Sequence, residues 1–380
     1  MLNTLHIKQF TVFQDAQFEF SPGLNVIVGD NGTGKTHVLK LGYLFCRAWP
    51  DLASKNLAMT TQRAETYLGE RLAGLFRVSD LGVLVRQRQN GNAKLKAEVS
   101  GHIPTLNIRT SAEQPSKSPG MPEPLHWDVQ IQPPEGIVKR AISSGILKAN
   151  GVPDAAARNA FVPSQVFVPS KEMVSLFPGL IGLFEKYREF PLDETYRDLA
   201  VAMSTLEPRE TSSLMLEVMS RIQKLLGGDL KLDNGDLVFE RPDGSRLESQ
   251  LLAEGHRKLA MLIYLLRNGV IEIGSTLFWD EPEANLNPAA VKLLAEALYL
   301  LTGLGVQVIL ATHSLFLLRE FEILQTRSGK TDHPPTRYFG LGWKRSLLEV
   351  SQGDDIADID PLVVLDETLQ QSDRYMEAEK

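Results

Sequence analysis

The sequence predicts an α/β protein: a mixed sheet at the core, with a helical lobe inserted near residues 171 to 228. Three observations carry this. The apolar strand "LNVIV" runs directly into "GDNGTGKT" (29 to 36) and then into a helical pattern. A second apolar strand, "TLFWD", ends in two adjacent carboxylates, Asp280 and Glu281. Between residues 256 and 311 helical and strand patterns alternate, which argues a parallel sheet.

The elements follow in order. "LHIKQFTVF" and "AQFEF" alternate as half-buried strands do, and "LNVIV" reads as a central strand. A helix is expected from about Lys35 to Arg47. Residues 81 to 109 read as strands, "LGVLVRQRQ" and "AKLKAEV", joined by a turn at Asn90-Gly91. Residues 110 to 124 read as a Ser/Pro-rich loop, and "SQVFVPS" (164 to 170) as a further strand. Helical patterns fill 171 to 187, 193 to 204 and 211 to 226. A hairpin follows, with turns at Asn234-Gly235 and Asp243-Gly244. Helices are then expected at 256 to 267 and 288 to 302, and strands at 276 to 280 and 306 to 311. The segments fall into an N-terminal lobe (1 to 170), a helical lobe with hairpin (171 to 250), a second sheet segment (251 to 320) and C-terminal strands and helix (321 to 380).

Bulk properties exclude several classes. The chain has 380 residues, a net charge of −7 and one cysteine, Cys46. The acidic balance argues against a polybasic nucleic-acid binder. A single cysteine builds neither a disulfide framework nor a thiolate metal site. The N-terminus shows no signal-peptide pattern and no segment reads as a membrane span, so a cytoplasmic protein without membrane contact is expected.

"GDNGTGKT" fits G-x-x-x-x-G-K-[ST] between a strand and a helix. Its glycines let the backbone curl so that N–H groups line an anion cradle, and the helix dipole adds positive charge. Gly29, Asp30, Asn31, Gly32, Thr33, Gly34, Lys35, Thr36 and His37 are therefore the candidate nucleotide contacts. Lys35 reaches the β- and γ-phosphates and Thr36 offers a hydroxyl to Mg²⁺. Asp280 is the expected carboxylate of the magnesium shell, and Glu281 the base that polarises water. The same letters, "DEPEANLNP", also suit a helix start rich in acids and prolines. His313 ends the next strand, "VQVILATHS", and is a candidate sensor of the γ-phosphate. Lys35, Glu281 and His313 form the expected catalytic set, with ATP and Mg²⁺ as ligands.

"GLNVIVGDNGTGKTHVLK", "TLFWDEPEANLNP" and "ILATHS" together resemble the ABC-type ATPase heads of the SMC, RecF and OLD-like group. The resemblance covers about residues 1 to 50 and 245 to 320. It implies a P-loop NTPase fold of the ABC/SMC-head type and a head-to-tail homodimer with ATP sandwiched between subunits. It implies a signature segment in "LLAEGHRKLAMLIYLL" (251 to 266), with Gly255 meeting the partner's γ-phosphate in trans. Ala253 stands where that segment has serine, so either a weaker sandwich or compensation by Arg257 or Lys258 is expected. Asn285 to Asn287 match the D-loop, and Ser170-Lys171-Glu172 is a candidate glutamine loop. OLD-like nucleases continue into a Toprim domain. The chain after His313 is expected to be too short for one, and "QGDDIADID" (352 to 360) reads as a solvated acidic turn. The resemblance implies ATP hydrolysis controlling a separately encoded nuclease or effector in defence. The alternative is a RecF-like repair ATPase binding DNA directly; Arg86, Arg88, Lys94 and Lys96 offer a basic face for it, though alternate charges on an exposed strand are more often simply solvated. A transporter ATPase is the weaker third reading.

Overall fold

The computed structural model describes residues 1–54, 61–86, 91–99, 105–111, 126–132, 164–177, 179–187, 190–205, 213–233, 236–332, 334–360, 371 and 374–378. In chain order the elements begin with β1 (Leu2–Phe10), β2 (Phe13–Glu19), β3 (Leu24–Gly29), α1 (Lys35–Ser54) and α2 (Thr61–Phe76). A 3-10 turn (Leu81–Leu84), β4 (Asn92–Val99), β5 (Thr105–Ser111), β6 (His126–Gln132) and β7 (Gln165–Val168) follow. Next come α3 (Leu180–Lys186), α4 (Glu194–Met203), α5 (Ser213–Leu226), β8 (Asp229–Asp233), β9 (Asp236–Glu240) and β10 (Arg246–Glu248). The chain continues through α6 (Glu254–Arg267), β11 (Thr276–Asp280), α7 (Pro288–Gly303) and β12 (Gln307–Thr312). It then forms α8 (Leu315–Asp332), β13 (Thr336–Lys344) and β14 (Leu347–Gly353).

These elements form two compact units, neither of them one continuous stretch of sequence. The first comprises Met1–Phe20, Asn31–Val162 and Trp343–Val350; the second comprises Ser21–Asp30, Pro163–Gly342 and Ser351–Lys380.

The first unit holds a sheet of order β2-β1-β4-β5-β6, every pair antiparallel. Alternation makes it one-sided: in β4, Ala93, Leu95, Ala97 and Val99 are buried while Lys94 and Lys96 face out. Leu5, Ile7, Phe10, Phe13 and Phe18 of β1 and β2 are buried too, as are Leu72 and Leu75 of α2.

The second unit is built on a sheet of order β14-β13-β3-β12-β11-β7. The four pairs from β13 through β3, β12 and β11 to β7 are all parallel. β3, β11 and β12 are buried along their whole length, as parallel strands covered on both faces must be. Helices α4 to α8 supply much of the covering apolar surface, including Leu199, Ile222, Leu262, Leu298 and Phe321.

Three expectations need correction. Residues 81 to 84 form a 3-10 turn rather than a strand, because the Asp80 carboxylate captures the Gly82 N–H at 2.8 Å. Residues 171 to 177 are turns, and helix begins only at Leu180. Glu172 accepts from the Ser175 N–H at 3.2 Å and from the Val174 N–H, diverting donors that a helix would use. Helix α1 also runs beyond Arg47 to Ser54, and β6 was not anticipated. The turns at Asn90 and at Asn234-Gly235 lie outside the described residues, as do Arg88 and 112 to 124 of the expected loop. The turn at Asp243-Gly244 is present, with Gly244 at φ 80°.

β3 is locked at its start. Leu24 donates its N–H to Pro335 O at 2.9 Å, and Val308 donates to Gly23 O at 2.9 Å. A Cβ on Gly23 would lie 2.3 Å from the Pro335 carbonyl oxygen, a backbone atom that cannot step aside. Gly23→Ala is expected to lower stability by about 1–3 kcal/mol through overpacking, read as an earlier thermal or urea midpoint.

Candidate functional site

The second unit gathers three chain ends at one edge. β3, β12 and β11 are adjacent and parallel, with Ala311 opposite both Ile27 and Asp280. Their carboxyl ends therefore open on the same side, where ligands of parallel sheets bind. Gly29 and Asp30 leave β3 there, Asp280 and Glu281 leave β11, and Thr312 and His313 leave β12.

The adjacent carboxylates are separated by backbone geometry. Asp280 ends β11 at 8% exposure. Glu281 takes φ 48°, a left-handed value that costs a residue with a side chain roughly 1–3 kcal/mol. Its N–H donates to Ala311 O at 2.9 Å, which pins the turn to β12. The chain thus turns out of the sheet, and the Glu281 side chain is 38% exposed. His313 Nε2 lies 3.0 Å from Glu281 Oε1. The acids do not open a helix: α7 starts at Pro288, capped by Asn287, whose Oδ1 accepts from the Ala290 N–H at 2.9 Å.

Glu283 was missed by sequence reasoning. Its Oε1 accepts the His313 N–H at 3.0 Å and the Thr312 hydroxyl. The only sequence signal is its place two residues beyond Glu281.

The first unit carries Asn31 to His37. Gly32 and Gly34 hold φ 79° and 88°, which glycine alone adopts without strain. A Cβ on Gly34 would also lie 2.8 Å from the Phe13 ring and from Val12 Cγ2. Thr33 and Lys35 are buried, and Val38 donates its N–H to Gly34 O at 3.0 Å as α1 begins. The His37 ring is engaged elsewhere: Nδ1 lies 2.9 Å from Thr11 Oγ1, and the ring meets the edge of Phe76. Burial, then the nearby Lys40 charge, holds its pKa down to about 4. The His37 ring is thus occupied within the first unit.

Thr36 and Asp280 are hard oxygen donors of the kind Mg²⁺ takes alongside substrate phosphates. Among the described residues no cluster of three or more His, Cys, Asp or Glu forms a protein-only metal site. The turn around Asp354, Asp355 and Asp358 closes on itself through a capping box, and Asp354 pairs with Arg337.

Around the signature candidate, α6 begins after Ala253, which supplies no side-chain cap. Gly255 is buried; a Cβ there would lie 3.1 Å from both Ala290 Cβ and Leu286 Cδ2. The glycine therefore lets α6 approach the start of α7 within its own chain. Arg257 and Lys258 also turn inward. Arg257 donates to Glu172 Oε2 at 3.0 Å and to Leu252 O at 2.6 Å. Lys258, 2% exposed, donates to Ala284 O at 2.7 Å. Burial lowers the Lys258 pKa, and the charges of Glu254, Glu283, Glu172 and Glu281 oppose that shift. Both side chains are therefore engaged within their own chain. In the glutamine-loop candidate, Ser170 and the Lys171 backbone hydrogen-bond Tyr196, whose pKa burial pushes up to about 12. Asn285 binds Glu254 Oε1 at 3.2 Å, which ties the D-loop candidate to α6.

Gly34→Ala is expected to weaken nucleotide binding by at least tenfold, about 1.4 kcal/mol, since it strains φ and presses on Phe13 together. Titration with a fluorescent ATP analogue checks this. Affinity equal to wild type would show that the loop conformation does not govern binding.

A family model described as "AAA domain, putative AbiEii toxin, Type IV TA system" matches residues 205–319, and one described as "AAA domain" matches 4–40. DNA replication and repair protein RecF of Desulfitobacterium hafniense is 47% identical over 36 residues, 10% of each chain. RecF of Ligilactobacillus salivarius is 32% identical over 113 residues, 28% of this chain and 29% of its own. RecF of Streptococcus equi subsp. zooepidemicus is 27% identical over 171 residues, 43% of this chain and 44% of its own. The matches thus span less than half the length of these relatives. Among solved structures, an SMC head bound to the C-terminal winged-helix domain of ScpA superposes with a TM-score of 0.51. That likeness has 14% identity and covers 93% of this chain and 97% of the other. At that identity it establishes the fold, and fold and sequence matches together support an ATPase head of the ABC, SMC and RecF kind.

Proposed function

We propose that the chain binds ATP and hydrolyses it slowly when two copies pair head to tail, and that this pairing controls a separately encoded effector. The observation that carries the reading is the shared edge of β3, β12 and β11. It brings the start of the phosphate loop, Asp280-Glu281 and His313 to the ends of adjacent parallel strands. Lys35 and the loop amides hold the phosphates. Magnesium held by Thr36 and Asp280 would neutralise phosphate charge. Glu281 takes a proton from water as its oxygen attacks the γ-phosphorus; the β–γ bridge then breaks to release ADP and phosphate. His313, at 3.0 Å, orients the Glu281 carboxylate. In trans, the start of α6 presents Ala253 and His256, both exposed, and Gly255 acts through its backbone N–H. An effector role is supported by the family description that names a type IV TA system and by the structural relative solved with a bound protein partner.

A RecF-like role in DNA repair is the second reading, favoured by the RecF matches. It places DNA on the first unit's sheet, where Lys8 pairs in register with Lys94 and His6 with Lys96. Asp15 offsets Lys8 at 3.0 Å. Duplex binding by the isolated protein, lost in Lys94→Glu/Lys96→Glu and steeply weakened by salt, would favour repair over effector control.

Glu281→Gln is expected to bind ATP, lose roughly 100-fold or more in turnover, and accumulate as a dimer. Phosphate release and light scattering measure these; wild-type turnover would remove Glu281 from the role of base. Pairing is tested at Ala253 rather than Gly255, because a side chain at Gly255 strains its own subunit first. Ala253→Asp caps α6 in its own chain yet sets a negative charge toward a partner's phosphates. It should bind ATP but hydrolyse little alone. Mixing it with Lys35→Ala should restore activity, since one site of each mixed pair joins an intact loop to an intact α6. Activity that stays absent while mixed pairs form would reject action in trans.

A further inference from the structure

A bridging carboxylate links two turns of the second unit. The turn after β11 carries Glu281, and the turn after β12 carries His313. Glu283 spans them: Oε1 accepts the Thr312 hydroxyl and the His313 N–H together. Thr312 is fully buried, so its hydroxyl has little recourse to water. The Thr312 hydroxyl oxygen accepts in turn from the Ser314 N–H at 2.9 Å, and Ser314 Oγ accepts the Leu317 N–H at the start of α8. The segment 312 to 317 is therefore held through one carboxylate oxygen.

The second oxygen makes a further point. Glu283 Oε2 is buried and has no hydrogen-bond partner among the described residues. An ionised carboxylate in that position needs a compensating charge. Lys258 supplies it. Its ammonium donates to the carbonyl oxygens on either side of Glu283, Pro282 at 3.5 Å and Ala284 at 2.7 Å. Lys258 belongs to α6, the helix that begins at the signature candidate. Contacts thus run from α6 through Lys258 to the 282–284 turn, and from Glu283 to the backbone of His313.

We propose that Glu283 is a positioning residue, whose carboxylate fixes the Thr312–His313 backbone and so presets the His313–Glu281 pair, with Lys258 holding its turn to α6. The inference rests on the hydrolytic reading above, and it assigns Glu283 no contact with the nucleotide. A carboxylate that only stabilised the fold would lower yield or melting temperature without separating turnover from binding. One that presets His313 acts on the chemical step and acts through His313.

The test uses the full chain. Glu283→Ala is expected to lower kcat between about 10- and 100-fold, as a small misplacement of a catalytic group does, with affinity for a fluorescent ATP analogue within about twofold of wild type. Glu283→Gln should retain more activity than Glu283→Ala, since its amide oxygen still accepts both hydrogen bonds. In a His313→Ala background, Glu283→Ala should add no further loss, the non-additivity of residues acting as a unit. A readout independent of turnover is NMR of histidine labelled at Cε1. The chain has seven histidines, and the His313 signal is assigned by its loss in His313→Ala. Without nucleotide, that signal should shift in Glu283→Ala and in Thr312→Val. Turnover within twofold of wild type, an equal loss in both backgrounds, or an unmoved His313 signal would each overturn the proposal. If Glu283→Ala does not fold, Glu283→Gln and Thr312→Val decide by the same signal. A wild-type protein that hydrolyses no ATP would reject the hydrolytic reading, while the His313 signal still decides whether Glu283 holds the switch segment.

Discussion

Parallel pairing is the constraint on which this molecule turns. A parallel strand cannot return through a tight hairpin and must cross over to begin again at the far edge. β3, β12 and β11 therefore all end on the same side, and whatever follows each strand converges there without any side chain having to reach far. Register is as strict as direction. Ala311 faces Ile27 on one side and Asp280 on the other, and all three strands are buried throughout. A one-residue slip would exchange the two faces of a strand and move the chemistry off the edge.

Charge at that edge is managed by geometry before it is managed by ions. Four carboxylates lie on or next to the 280–283 turn and the start of α6: Asp280, Glu281, Glu283 and Glu254. The left-handed backbone at Glu281 sends one carboxylate outward and leaves the other in the sheet. Lys258 compensates from below at a cost in its own ionisation, because burial outweighs the carboxylates around it. Glycine contributes in the same manner on the same face of α6, one turn away. With no side chain at Gly255, the helix reaches Ala290 and Leu286, close enough for Lys258 to meet the turn.

Much of this was legible in sequence wherever the signal was local. The phosphate loop, the strand ending at Asp280 and the strand ending at Thr312 announce themselves through apolar runs followed by chemistry. The misreadings arose where one polar side chain captured nearby backbone. Asp80 turned "LGVL" into a 3-10 turn, and Glu172 delayed a helix whose apolar pattern was otherwise sound. Glu283 was illegible for another reason. Its partners, Thr312 and His313, lie across a helix and a strand from it, and nothing in "DEPEANLNP" distinguishes a bridging acid from a solvated one. The same holds for Arg257 and Lys258, whose inward direction depends on Glu172 and on the 282–284 turn.

The interleaving of the two units bears on how the chain is made. Neither unit is complete until residues 336–350 are made: β13 supplies the strand beside β3, with Thr336 pairing to Leu24, and Trp343–Val350 falls in the first unit. A nascent chain thus holds β3 with both edges unsatisfied until β12 is made, and with one still open until β13 follows. Contacts this distant in sequence make folding slow, and an open edge of "LNVIV" is the kind of surface that pairs with the wrong strand. Neither unit can finish before residues 336–350 are made, so the growing chain carries open strand edges over a long stretch of synthesis.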